Sequence, residues 1–263
     1  VRDSTATAGS IWGSAAFEQI AKGAAASHDV LVTALGIVPG TRVLDVATGT
    51  GAVALRAVEH GALVTAVDIA PTLLKRARRA ALEAGLTIEF RIADAERLPF
   101  APSSFDTIAS AQGAVFAPDR EAVARELARV CRPGGLLGLT CPIAAGFPFE
   151  LARILASFRV GARDAWFGPF AWGDPAEARR LLGRDFELHF EELAAPFRVC
   201  DPRAGWQVYR ESFGPLADLL GSIGPAGSAE LRARVIELLR RYVTAEGVVA
   251  PRPLLLVVGR RRA

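Results

Sequence analysis

From residue 41 onward, short apolar runs alternate with stretches whose apolar residues recur at helical spacing, the signature of a parallel sheet with crossover helices. The first strand falls at about 42–46, and its helix, about 52–59, ends near His60 and Gly61. A second strand at 63–67 runs into Asp68. Pro71 then stands where a first helical turn tolerates proline, and 72–84 makes a basic-faced helix closed by Gly85. The third strand is 88–92, and the fourth, 105–110, is reached through the turn 101–104. A helix at about 120–131 puts Val123, Leu127, Val130 and Cys131 on one stripe and Arg120, Glu121, Arg125 and Glu126 toward water. Arg132-Pro133-Gly134-Gly135 stops it, and 136–141 is the fifth strand.

After 141 the rhythm fails. Residues 142–183 are rich in Phe, Trp, Gly and Pro and read as an insertion, not another crossover. The alternating segment 186–193 is a sixth strand. Helical stretches follow at about 204–220 and 229–244, the second begun by Ser228 as N-cap and carrying Leu231, Val235, Leu238 and Tyr242 on one face. Residues 253–258 close the sheet as its seventh strand. Upstream, 11–35 reads as one or two helices capping the core. The expected organisation is one domain over 1–263: a cap at 1–38, a core at 40–141, and lid insertions at 142–183 and 200–250.

Composition changes this picture little. Half of the 263 residues are apolar, enough for a sizeable core. The longest apolar run, 136–149, is broken by Gly138, Pro142, Gly146 and Pro148 and falls short of the roughly 20 residues of a membrane span. The first ten residues lack the apolar centre of a signal peptide, so the expected compartment is cytoplasmic. Net charge is +3, but the basic residues are nearly all Arg and lie scattered among acids, the pattern of solvated faces and not of a nucleic-acid surface. Cys131, Cys141 and Cys200 are too widely spaced for a disulfide scaffold or a metal site, which leaves free thiols and no metal.

The candidate chemistry begins at VLDVATGTGAVAL, 43–55, where an apolar strand ends in Asp45 and turns through Gly49 and Gly51. Such a turn offers free backbone N–H groups at a helix N-terminus and lets a ligand approach closely. A dinucleotide site wants a third glycine, where this chain has Ala54, and a carboxylate beside a pyrophosphate is repulsive. Asp45 fits a ligand that brings positive charge, an ammonium or a sulfonium. Asp68 ends the second strand, where an acid can accept both hydroxyl hydrogens of a ribose. Asp94-Ala95 follows the third, where a carboxylate can accept from an adenine amino group and a backbone N–H can donate to the ring. All three acids would meet at the carboxyl edge of the sheet, the usual crevice of open α/β folds.

VLDVATGTG, AVDIA, IADAERLPF, FDTIASAQGAVFAPD and LARVCRPGG resemble the successive motifs of class I S-adenosylmethionine-dependent methyltransferases, in particular the ubiquinone/menaquinone-methyltransferase-like, small-molecule branch. The resemblance is firm over about 40–141. It implies a Rossmann-like, seven-stranded, mostly parallel α/β sheet with helices on both faces, an N-terminal helical cap, and lid insertions after strands five and six. It also implies that Asp45, Ala47, Gly49 and Gly51 line the methionine portion of S-adenosyl-L-methionine. Asp68 and Ile69 would hold the ribose and flank the adenine, Asp94 and Ala95 would bind the adenine, and Ala111 and Gln112 would sit under the sulfonium. Ala47 departs from the family pattern, standing at its first glycine.

Methyl transfer is an in-line displacement on an electrophile that arrives activated, so alignment and exclusion of water can do most of the work, roughly 7–11 kcal/mol. A base is needed only if the acceptor must lose a proton that water cannot take. His28 in the cap and Tyr209 in a late helix are the candidates, with surface exposure and core packing as the plainer readings. His60 and His189 read as structural or surface residues, and Cys141 as a buried, inert thiol. Of Phe147, Trp166, Phe170, Trp172 and Trp206, some are expected to line a cavity for an apolar or aromatic small-molecule acceptor, with Trp12 and Phe17 contributing from the cap, while packing of the lid on the core is the plainer reading for most of them. The alternatives are an NAD(P)-dependent oxidoreductase and a catalytically silent S-adenosylmethionine-binding protein.

Overall fold

A computed structural model describes residues 4–13, 23–159 and 163–263. In chain order the elements are α1 (Ser4–Gly13), α2 (Ala25–Ala34), β1 (Arg42–Val46), α3 (Ala52–Glu59), β2 (Leu63–Asp68), α4 (Pro71–Glu83), β3 (Glu89–Ile92), β4 (Phe105–Ala111), α5 (Arg120–Val130) and β5 (Cys131–Pro142). Then come α6 (Gly146–Phe158), α7 (Arg163–Ala171), α8 (Pro175–Leu182), β6 (Phe186–Ala194), β7 (Phe197–Val199), α9 (Pro202–Ser212), α10 (Gly214–Ser222), α11 (Gly224–Arg240), β8 (Val243–Thr244), β9 (Gly247–Ala250) and β10 (Pro253–Arg261).

The main sheet has seven strands in the order β3-β2-β1-β4-β5-β10-β6. Neighbours from β3 to β5 pair in parallel, while β10 runs antiparallel to both β5 and β6. Central strands buried on both faces must be nearly all apolar. Accordingly Val43, Leu44 and Val46 of β1 and Ile108 and Ala109 of β4 have no exposed surface. Burying one such leucine or isoleucine contributes about 1.5–3 kcal/mol. Asp45 sits among them, paired in register with Ala66 and Ala109. Because successive strands run outward from β1 on one side and from β4 on the other, the chain reverses its winding between these two. That switch point is where an open α/β sheet leaves a crevice at its carboxyl edge.

The cap lies against this edge because the sheet has room for it. A Cβ added at Gly138 of β5 would stand 2.7 Å from Leu31 Cδ1 and 2.8 Å from Leu35 Cδ2, so glycine lets α2 nest on the strand. The buried side of α2 carries Ser27, His28, Leu31 and Val32.

The lid departs from the expectation in several places. Residues 142–183 are not a single insertion: they form α6, α7 and α8, and α8 packs on α5 and β6 as the crossover into the sixth strand. The stretch expected as one helix over 204–220 breaks at Phe213. Pro215 there opens α10, and the bare Gly214 lets the carbonyl of Ile11 approach to a distance no Cβ would allow. α11 begins at Gly224, with Pro225 in its first turn. Ser228 is therefore inside the helix and not its N-cap; its hydroxyl donates back to the Leu220 carbonyl at 3.4 Å. Tyr242 lies beyond the helix end and donates its hydroxyl hydrogen to Glu150 at 2.6 Å. β5 starts at Cys131, five residues early. A second sheet, β7-β9-β8, was not expected at all, since strands of two to four residues are too short to show alternation. No helix among the described residues is long and apolar enough to cross a membrane.

Candidate functional site

The turn after β1 holds its shape through two carboxylates. Asp45 is 1% exposed, and its Oδ2 accepts from the Thr48 hydroxyl at 2.5 Å and from the Ala54 N–H at 3.1 Å. The second bond satisfies one of the orphan donors in the first turn of α3, so Asp45 caps that helix from nine residues away. Its Oδ1 takes no hydrogen bond among the described residues. Asp68 at the end of β2 accepts from the Gly49 N–H at 2.8 Å and, through its other oxygen, from the Ala70 N–H at 2.8 Å. A carboxylate has about four acceptor positions, so capacity remains for a ligand. Across the crevice the Ser110 hydroxyl donates to the Val46 carbonyl at 2.7 Å and accepts from the Ala114 N–H at 3.0 Å, pinning the end of β4 to β1.

Ala47 has φ +55° and Gln112 has φ +52°, conformations that L residues adopt at about 1–2 kcal/mol above the right-handed ones. The departure at Ala47 is thus a matter of backbone conformation as well as bulk. It is also why residue 113 is glycine: a Cβ there would stand 2.5 Å from the Ala47 carbonyl oxygen and 2.7 Å from the Ala47 Cβ.

These elements surround a cavity of about 200 Å³. The structure brings Asp45, Ala47, Gly49, Asp68, Ile69, Asp94, Ala95, Ala111 and Gln112 together along its wall. Gly51 is not among them. Its φ of +87° makes the turn into α3, and a Cβ there would meet Ala77 of α4 at 3.3 Å, so Gly51 serves the turn and the packing of α4. Thr48, Glu96, Gly113 and Phe116 also line the cavity and were not singled out from sequence.

The acids of the crevice stand in an unusual electrostatic state. Burial pushes the Asp45 carboxyl up to about 7, against the lowering effect of its bonds from Thr48 and Ala54, and the neighbouring Asp68 pushes the same way. Burial also raises Asp68, opposed by N–H groups of Ala70, Gly49 and Ile69. Two buried carboxylates with no cation beside them among the described residues are what a cationic ligand would complement.

A second cavity, about 370 Å³, opens beside the first under the lid. Trp12, His28, Ala111, Gln112 and Phe116 line both. Trp12 bridges the two, its ring 4.9 Å from that of Phe116 and 5.9 Å from that of Phe213. The remaining wall includes Leu151, Leu155, Trp166, Phe170, Tyr209 and Arg252. Three of the aromatic residues expected here lie elsewhere. Phe147 has no exposed surface and packs on Phe197 and Tyr209, with ring centroids 5.8 Å and 5.2 Å away. Trp206 belongs to the same lid core, and Trp172 to the core beneath the sheet. Phe17 lies outside the described residues.

His28 is 6% exposed, not a surface imidazole. Burial pushes it down to about 4, helped by the nearby charges of Arg56 and Arg252, so it is neutral at physiological pH. Tyr209 is buried and raised, its hydroxyl without a hydrogen bond among the described residues. His60 and His189 are exposed on the surface. Cys141 is wholly buried and its thiol is raised, which makes it unreactive. No group of metal-ligating side chains occurs among the described residues.

Residues 43–135 match a family described as a methyltransferase domain. An uncharacterized protein of Mycobacterium tuberculosis is 37% identical over 88% of this chain and 86% of its own length. Nocamycin O-methyltransferase of Saccharothrix syringae is 31% identical, with 85% of this chain and 86% of that protein covered. Among solved structures, the YcgJ protein of Bacillus subtilis superposes with a TM-score of 0.66 at 20% identity, covering 90% of this chain and 98% of its own, a likeness of fold.

Proposed function

The chain belongs to the class I S-adenosylmethionine-dependent methyltransferases, and we propose that it methylates an apolar or aromatic small molecule held in the lid cavity. The observation that carries this reading is the shared wall: a donor in the crevice and an acceptor in the lid cavity would meet at Ala111, Gln112, His28, Trp12 and Phe116. S-adenosylmethionine supplies a methyl group already activated by its sulfonium. In this reading Asp68 takes the ribose hydroxyls, Asp94 and Ala95 take the adenine, and the turn 47–49 with Asp45 takes the charged methionine end. Trp12, Trp166 and Phe170 align the acceptor and exclude water, which is where most of the rate arises.

The test has two parts. S-adenosylhomocysteine is expected to bind in a calorimeter and NAD is not. With methyl-labelled S-adenosylmethionine and a fractionated apolar metabolite extract, label is expected in an organic-soluble product. Binding of NAD alone would restore the oxidoreductase alternative, and cofactor binding with no product from any fraction would leave a silent binder.

His28 stands at the junction of the two cavities in its neutral form and can take a proton from an acceptor hydroxyl. A base held near 4 drives proton transfer only modestly, so His28→Ala is expected to lower kcat/KM about tenfold. The sign follows from the same position: the neutral form is present above about 4 and lost below it. At saturating S-adenosylmethionine, where the titration of Asp45 is suppressed, the wild-type profile for the acceptor should therefore be flat through pH 6.5 and bend only near 4. An inflection near 6.5, or an unaffected variant, removes His28 from this role.

A further inference from the structure

Arg252 is the one residue of the lid cavity whose charge the protein leaves unanswered among the described residues. It is 4% exposed and lines the cavity with Leu151, Leu155, Phe170 and Phe213. Its backbone is fixed on both sides, with Pro251 accepting from the Phe147 N–H at 2.9 Å, Pro253 from the Ile143 N–H at 3.2 Å, and Arg252 itself from the Ala195 N–H at 3.2 Å. The side chain donates from Nε to the Ala195 carbonyl at 2.8 Å and from Nη2 to the Gly23 carbonyl. Those bonds leave Nη1 without a protein partner, and no carboxylate lies within ion-pairing distance of it among the described residues. The other two charged residues of the wall, Arg159 and Asp218, neutralise each other at 3.1 Å nearer the surface.

A guanidinium cannot shed its proton, so burial makes this charge expensive unless something answers it. Burial does lower its affinity for the proton, in line with that cost. Neutral replacements at such a site are often more stable than an unpaired cation, so a buried Arg facing an apolar cavity points to a partner that arrives with the ligand. The wall holds a further donor: the buried indole N–H of Trp166 has no partner among the described residues. The charge also reaches the reaction side of the cavity, since Arg252 is one of the two cations that depress His28, a residue of the shared wall.

We infer that the methyl acceptor is an apolar molecule carrying an oxyanion, a carboxylate or an ionised enol or phenol, and that Arg252 is the residue that holds it. This rests on the reading of the lid cavity as the acceptor site. It makes Arg252 a specificity-determining residue: the planar fork fits a carboxylate, and its field favours the ionised form of an acidic hydroxyl.

The experiment uses the full chain loaded with S-adenosylhomocysteine and titrated with paired probes. Naphthoate against naphthamide reads carboxylate binding, and 4-nitrophenol reads phenol binding through the absorbance of its phenolate. Wild type is expected to prefer naphthoate over naphthamide by at least about tenfold, or to draw 4-nitrophenol into its ionised form, the arm that responds naming the source of the oxyanion. Arg252→Gln should abolish that preference, bringing naphthoate affinity down to that of naphthamide. Arg252→Lys, which keeps the charge and loses the fork, should retain a reduced preference, and it serves if the Gln variant does not fold. Retained S-adenosylhomocysteine binding shows that a variant is folded. Equal affinity for the charged and neutral probes together with no ionisation of the phenol, failure of wild type to bind either anion, or a preference that survives in Arg252→Gln overturns the inference while leaving the methyltransferase reading intact. Failure of wild type to bind S-adenosylhomocysteine overturns that reading instead.

Discussion

Replacing Asp68 by Ala is expected to weaken S-adenosylhomocysteine binding by about 5- to 150-fold, the 1–3 kcal/mol of a lost hydrogen bond to a charged acceptor. The structure adds a second loss. Asp68 also receives the N–H groups of Gly49 and Ala70, so the Ala variant leaves both backbone donors of the ligand-facing turn without their partner. The two effects separate by measurement. Urea unfolding without ligand reads the turn, and calorimetry on the folded fraction reads the ribose. An affinity that stays at the wild-type level in folded protein would show that Asp68 only braces the turn. Asp94 can be put through the same pair of measurements; its Oδ1 accepts from the Glu96 N–H at 3.0 Å within its own loop.

That double duty also explains which parts of the site were legible in the sequence. The strand ends were legible because central parallel strands must be apolar, so an aspartate closing such a run stands out: Asp45 and Asp68 both came from this rule. Gly49 and Gly51 looked alike, since both have a left-handed φ, yet one lines the crevice and the other packs toward Ala77 of α4. Sequence spacing shows that a turn needs glycine but not which of its glycines faces a ligand. The lid was less legible. Phe147, Trp172 and Trp206 had the same composition signal as Trp166 and Phe170, and only tertiary packing divides core from cavity. Arg252 gave no signal at all, as one arginine among many in an Arg-rich chain; the flanking Pro251 and Pro253 mark a rigid segment but say nothing of what its side chain meets. His28 was visible as a candidate, but its burial depends on Gly138 drawing α2 onto β5, a contact more than a hundred residues away along the chain.

Asp45→Asn is expected to become increasingly more stable than wild type as pH rises. The folded carboxyl is pushed up to about 7, whereas in the unfolded chain it titrates near 3.8. Between these values the native state holds a proton that the unfolded state has released, so raising pH through this window favours unfolding. At about 1.4 kcal/mol per unit, the wild-type protein should lose about 4 kcal/mol of the stability associated with this group between pH 4 and pH 8. Asn mimics the protonated acid: its carbonyl, placed where Oδ2 stands, can accept from both the Thr48 hydroxyl and the Ala54 N–H. The variant should match wild type near pH 4 and below and exceed it near pH 8. Parallel urea-stability profiles of the two proteins would show that Asp45 does not titrate in this range. The same group links stability to ligand. A sulfonium beside Asp45 favours its ionised form, so S-adenosylmethionine binding near pH 6 should release close to one proton and tighten as pH rises toward 8. Calorimetry in buffers of different ionisation heat measures that release, and Asp45→Asn should abolish it. The acid that weakens the empty protein at neutral pH is then the one that a cationic donor makes favourable, the exchange of stability for binding expected where an ionisable group is buried at a site.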